Sequence, residues 1–84
     1  MSENDTRSFT VVVPEGNEYS DPRAAQRIAA HFKQFKLNAE FVTKNDIPVQ
    51  DEQGAYTLVT HDQEAAFLAP RLLDQHYGLA PIPN

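Results

Sequence analysis

Few residues in this chain could do chemistry, and their spacing says little for catalysis. Three histidines, His31, His61 and His76, are the first candidates, because imidazole can ligate a metal or move a proton near neutral pH. They stand 30 and 15 residues apart with no short His-to-His element, so spacing predicts no metal site. Thr60-His61-Asp62 sets a hydroxyl, an imidazole and a carboxylate where a strand gives way to a helix. No Ser or Cys nucleophile accompanies them in a recognisable motif, and helix capping accounts for the same letters. The adjacent acids Asp51 and Glu52 read as a solvated loop pair. Glycines at 16, 54 and 78 make no phosphate-binding loop. Cysteine is absent, which removes disulfides, thiol catalysis and Cys-based zinc sites and fits a reducing cytosol. The expectation is a chain without catalytic residues, metal or cofactor.

Charge is the better lead. The 84 residues carry a formal net charge of −5, with seven Lys and Arg against twelve Asp and Glu. Four of the seven bases lie in DPRAAQRIAAHFKQFK, Asp21 to Lys36, and Lys44 follows. Residues 1–22 carry −4, residues 23–44 carry +4 and residues 45–84 carry −5. Blocks like these either form opposite faces or neutralise one another once folded.

That basic stretch must be a helix to present its charges together. Asp21 is a side-chain acceptor for the free N–H groups of a helix start, and Pro22 presets φ in the first turn. Ala25, Ile28, Ala29, Phe32 and Phe35 recur at helical spacing as a core stripe. Arg23, Arg27 and His31 fall at four-residue steps on another face, with Lys33 nearby.

The flanking segments alternate. SFTVVV, residues 8–13, is a β-branched strand stopped by Pro14, and EGNEYS supplies turn residues. LNAEFVTK, residues 37–44, is a second strand, NDIPVQDEQG, residues 45–54, a loop, and AYTLVT, residues 55–60, a third strand. Thr60 and Gln63 have capping-box spacing and open a second helix. Its inner stripe is Ala65, Leu68, Ala69, Leu72 and His76, and Pro70 should kink or split it. Gly78 stops it with Leu79 packing back, and LAPIPN is an extended tail.

These elements predict one domain over residues 8–78, a disordered extension over 1–7 and a Pro-containing tail over 79–84. The order β-α-β-β-α, with one apolar stripe per helix, predicts an α+β, ferredoxin-like two-layer sandwich: a three-stranded sheet with two helices on one face. The first two strands are parallel, and the third inserts between them, antiparallel to both. The alternative pairs the second and third strands as a plain hairpin beside the first. No apolar run approaches the roughly 18 residues of a membrane span, and no basic-then-apolar leader is visible.

DPRAAQRIAAHFKQFKLNAEF, followed by a short strand and THDQEAAFLAPRLLDQ, resembles the small cytoplasmic domain that precedes the membrane part of bacterial rhomboid proteases. Asp21, Pro22, Arg23, Ala25 and Gln26 match that family's Asn/Asp-Pro-Arg-type helix start. Leu58, Thr60, Asp62, Gln63 and Glu64 follow its central strand and acidic helix start. A family of small bacterial proteins described as signal transducers has a similar layout. The resemblance covers residues 8–76 and implies a non-catalytic accessory domain in the cytoplasm, at the inner face of a membrane. The family's catalytic Ser and His belong to its membrane part, so no catalytic residue carries over. The long 45–54 loop, the polar extension and the lack of a following transmembrane segment are departures.

Two contact surfaces are expected. The first is the basic face Arg23, Arg27, His31 and Lys33, which suits a protein partner or an anionic membrane surface; its plainer reading is a solvated face that offsets neighbouring acids. Direct nucleic-acid binding is not expected, since the rest of the chain repels phosphate and no aromatic stacking platform is evident. The second is the first strand, carrying Phe9, Val11 and Val13, which a three-stranded sheet leaves as a bare edge. The tail could shield it, a partner strand could add to it, or two copies could form a homodimer through it. Pro81 and Pro83 argue against the tail because they cannot donate to a ladder. The expected function is therefore a non-catalytic protein-interaction or regulatory domain. The competing reading is a small acidic inhibitor of the phage type, which blocks a nucleic-acid-binding partner. It requires Asp46, Asp51, Glu52, Asp62 and Glu64 to line one surface at phosphate-like spacing.

Overall fold

The computed structural model describes residues 6–84. Its elements are β1 (Arg7–Val12), α1 (Pro22–Gln34), β2 (Ala39–Phe41), β3 (Thr43–Lys44), β4 (Ile47–Pro48), β5 (Tyr56–Thr60), α2 (Gln63–Leu72) and β6 (Ala80–Pro83). A 3₁₀ turn, Glu18–Ser20, leads into α1, and a π turn, Leu73–Tyr77, prolongs α2. The main sheet has the order β2-β5-β1-β6 with every neighbouring pair antiparallel. β5 therefore lies between the parallel strands β1 and β2, as the sequence predicts.

The sheet has four strands rather than three, because the tail is a strand. β6 pairs with β1 through Phe9↔Pro83, Thr10↔Ile82, Val11↔Pro81 and Val12↔Ala80. The Asn84 N–H donates to the Ser8 carbonyl at 3.1 Å, which fixes the ladder's parity. Ala80, Ile82 and Asn84 occupy bonded positions, and Pro81 and Pro83 the alternate, non-bonded ones. A proline there gives up only an N–H that would point away from the sheet. The same two prolines strip donors from the outer edge of β6 and blunt it. β1 is thus an interior strand. The expectation of a bare edge at Phe9, Val11 and Val13, open to a partner strand or a second copy, is overturned: Phe9 and Val11 are core residues, and Val13 packs against the core.

One face of the sheet carries Phe9, Val11, Phe41, Tyr56 and Leu58, which form a single cluster with Ala25, Ile28 and Phe32 of α1 and Ala69, Leu73 and Leu79. Burying each large member contributes about 1.5–3 kcal/mol. The Tyr56 hydroxyl, at the edge of this core, donates to the Tyr19 carbonyl at 2.6 Å.

Several local expectations change. Arg7, assigned to the disordered extension, opens β1 opposite Thr60, while residues 1–5 lie outside the described residues. The loop after β2 folds into the β3–β4 hairpin, turning at Asn45 and Asp46 with φ of 56° and 65°. Positive φ at both central residues is the type I′ geometry that matches strand twist. The cap of α2 is Asp62, which accepts from the Ala65 N–H at 2.7 Å, and not Thr60, which is buried within β5. Pro70 does not split α2; the wider π turn follows it, and Gly78 at φ 67° closes that turn by donating to the Leu73 carbonyl. Among the described residues, no helix is long and apolar enough to cross a membrane.

Candidate functional site

The basic helix begins as its sequence dictates: the Asp21 carboxylate accepts from the Arg23 N–H at 3.0 Å with Pro22 in the first turn. At about 100° per residue, Arg23, Arg27, His31 and Phe35 form one gently winding stripe along α1. Lys33 does not join it. It lies on the opposite flank, beside Gln26, Glu40 and Asp46. The structure therefore brings together three of the four expected basic residues and separates the fourth.

The end of α1 explains why Phe35 leaves the core. Lys36 adopts φ 59°, its N–H donates to the Lys33 carbonyl at 3.0 Å, and the Leu37 N–H reaches back to the Phe32 carbonyl at 2.9 Å. This is a Schellman closure with lysine where glycine is usual. It turns the chain away one step early and leaves Phe35 54% exposed, not part of the core stripe.

Across from it, α2 exposes Phe67 (58%) and Leu68 (39%) while Ala65 and Ala69 face the sheet. The small inward residues let α2 sit close to the strands, and the large ones project outward. Leu68 and His76, expected on the inner stripe, are therefore outside it. Between the helices lies an open cleft of about 440 Å³, walled by Phe35 and Leu37 on one side and by Phe67, Leu68, Arg71 and His76 on the other. The Arg71 guanidinium rests over the Phe67 ring, 4.3 Å from its centroid, a cation–π contact between residues four apart on one helix.

The cleft runs into an aromatic cluster. His31 packs on Phe35 with ring centroids 4.5 Å apart and lies 6.1 Å from His76. His31 Nδ1 and the Tyr77 hydroxyl share a hydrogen bond, and Tyr77 stacks edge-on with Tyr19. Burial, and then the neighbouring Tyr19, pushes the Tyr77 hydroxyl above its ordinary value, so it stays neutral. His31 and His76 are 45 positions apart, and only the packing of α1 beside the π turn brings them together.

Among the described residues the one ion pair joins His61 to Glu40 at 3.0 Å. Among the described residues, the side chains of Arg23, Arg27, Lys33, Lys36 and Arg71 have no carboxylate within salt-bridge distance.

The other candidates disperse. Thr60 is buried, His61 turns to Glu40, and Asp62 caps α2, so the three do not converge. Asp51 accepts from the Gln53 and Ala55 N–H groups and orders its own turn. Asp51 and Glu52 precede β5 whereas Asp62 and Glu64 follow it, so the acids needed by the inhibitor reading sit at opposite ends of a strand. The five strand residues between them span about 17 Å.

Phe67, Leu68 and Arg71 were not expected at a functional surface. The signal was the adjacent pair Phe67-Leu68 in a helix whose inner positions are alanine: two large neighbours 100° apart cannot both face the sheet. No family model, no curated protein and no solved structure matches the chain.

Proposed function

We infer that this chain is a non-catalytic protein-interaction domain that contacts its partner with the outer face of its helical layer. One observation carries the reading: among the described residues the Arg23–Arg27–His31 stripe of an otherwise acidic protein forms no side-chain ion pair, and it leads into an exposed apolar cleft. Charges that merely offset neighbouring acids would form ion pairs with them, and among the described residues the Arg23 and Arg27 side chains form none. The order β2-β5-β1-β6 with both helices packed on one face supports a ferredoxin-like classification. The resemblance of the α1 and α2 segments to the cytoplasmic domain of rhomboid proteases supports a regulatory role beside a membrane protein, at the inner face of its membrane.

The test is affinity capture from soluble and detergent-solubilised membrane fractions of the source cell, read by mass spectrometry. Wild type runs beside Arg23→Glu/Arg27→Glu and beside Lys33→Glu, which lies on the other flank. A partner lost by the double variant and kept by Lys33→Glu is the expected result. A partner held equally by all three, or none at all, refutes the stripe as a contact surface.

A further inference from the structure

We propose that the cleft between α1 and α2 is a groove for an acidic amphipathic helix of a protein partner. This rests on the interaction-domain reading and adds the place of contact and the chemistry of the bound segment. The two helices lie side by side on the sheet, and the cleft between their outer faces is concave, apolar and open. A third helix laid along it seats apolar side chains, spaced three and four apart, between Phe35 and Phe67 as a ridge in a groove.

Charge selects what that helix carries. Among the described residues no carboxylate lines the cleft, whereas Arg71 and His76 do. Lys36 stands between the wall residues Phe35 and Leu37 at positive φ, where glycine would be less strained. Arg27, about two turns before Phe35 on the same stripe, continues the positive strip. Acidic residues flanking the apolar ridge of a bound helix meet Arg71, Lys36 and Arg27, none of which has an ion pair to break among the described residues.

Charge also argues against a broad anionic surface. A membrane or a nucleic-acid duplex would meet the acidic blocks of this −5 chain along with the strip. A single helix about 10 Å across covers the strip alone, and screening over about 8 Å at physiological salt weakens repulsion from the remaining acids. A second copy docked cleft to cleft would offer Arg71 another wall without a carboxylate among its lining residues, so it supplies no opposite charge.

The experiment is selection from a displayed library of helical peptides of mixed charge. Fluorescence anisotropy of the selected peptide then follows on wild type, on Phe67→Ser/Arg71→Glu and on Arg23→Glu/Arg27→Glu. All four positions are exposed, so the variants should fold, and circular dichroism checks that they do. The expected outcome is enrichment of acidic peptides with apolar residues at three- and four-residue spacing, bound about tenfold or more weakly by the Phe67/Arg71 variant. Failure to enrich acidic peptides, or equal binding by wild type and that variant, overturns the groove. Loss in the Arg23/Arg27 variant alone overturns the groove and leaves the interaction-domain reading standing. Equal binding by all three proteins removes both. Binding to phosphatidylserine-containing vesicles that is lost with Phe67 and Arg71, or dimerisation through the cleft, also overturns the proposal.

Discussion

Shifting a proline by one residue in β6 should separate a tolerated position from a damaging one. Pro81 faces Val11 at a non-bonded position, whereas Ile82 shares the bonded parity of Asn84. Pro81→Val leaves the ladder unchanged and costs about 0.4–1 kcal/mol, because the unfolded chain gains freedom. Ile82→Pro removes an N–H aimed at β1 and strands the Thr10 carbonyl. Removing the donor and leaving that carbonyl unsatisfied costs about 1–3 kcal/mol. The Ile82 side chain is 51% exposed, so its burial adds little to the difference. A domain of this length has about 4–13 kcal/mol of stability at the usual 0.05–0.15 per residue. Ile82→Pro therefore takes a large share of it, and Pro81→Val does not. Urea unfolding followed by far-UV circular dichroism measures both, with an unchanged m-value as the check on two-state behaviour. If Pro81→Val costs as much as Ile82→Pro, the register is displaced by one residue and the account of the prolines is wrong.

Three further outcomes are expected. Burial, and secondarily Asp21, raises the Tyr56 hydroxyl above its ordinary value, so the fold holds a proton that the unfolded chain releases above about pH 10. Stability is then full below that pH and falls as pH rises towards the folded value. Tyr56→Phe should lose about 1 kcal/mol with the bond to Tyr19 and make the alkaline decline shallower, Tyr77 keeping its own share; urea midpoints across the alkaline range would expose an unchanged slope. Lys36→Gly should stabilise the protein by about 1 kcal/mol by relieving positive φ while weakening binding of the acidic peptide, and a fall in thermal midpoint would contradict the Schellman closure. At the hairpin turn, Asp46→Val should cost about 1–2 kcal/mol and Asp46→Gly almost nothing, as read by chemical denaturation; equal costs would deny the type I′ geometry.

Much of the fold was legible because local chemistry and tertiary packing agree there. Asp21-Pro22 starts a helix for reasons contained in two residues, and alternation in β1 and β5 marks which side meets the core. The β3–β4 hairpin was less visible, since Asn45-Asp46 is a weaker turn signal than Asn-Gly. The fourth strand is hidden in the sequence because a proline costs a strand its donor only where that donor would point at the partner. Parity in a ladder depends on the partner strand, and no single segment contains it. The cleft was illegible for a related reason. Phe35 looks like a core residue by helical spacing, and only the early turn at Lys36 takes it out. His31 and His76 meet through a π turn whose width no periodicity encodes.

The clasp between the first and last strands also decides how the molecule bears load. Asn84 Nδ2 donates to Ser8 Oγ at 3.0 Å, and Thr10 Oγ1 donates to Asn84 Oδ1 at 2.7 Å, so residues 8 and 84 face each other at the same end of the ladder. Tension applied through these two residues acts across the strands rather than along them. Each rung then carries the whole force in turn, and β6 peels away like a zipper instead of shearing as a block. The strand that completes the sheet at rest is thus its first point of mechanical failure, and traction on the two ends would bare the edge of β1 before it disturbs the helical layer.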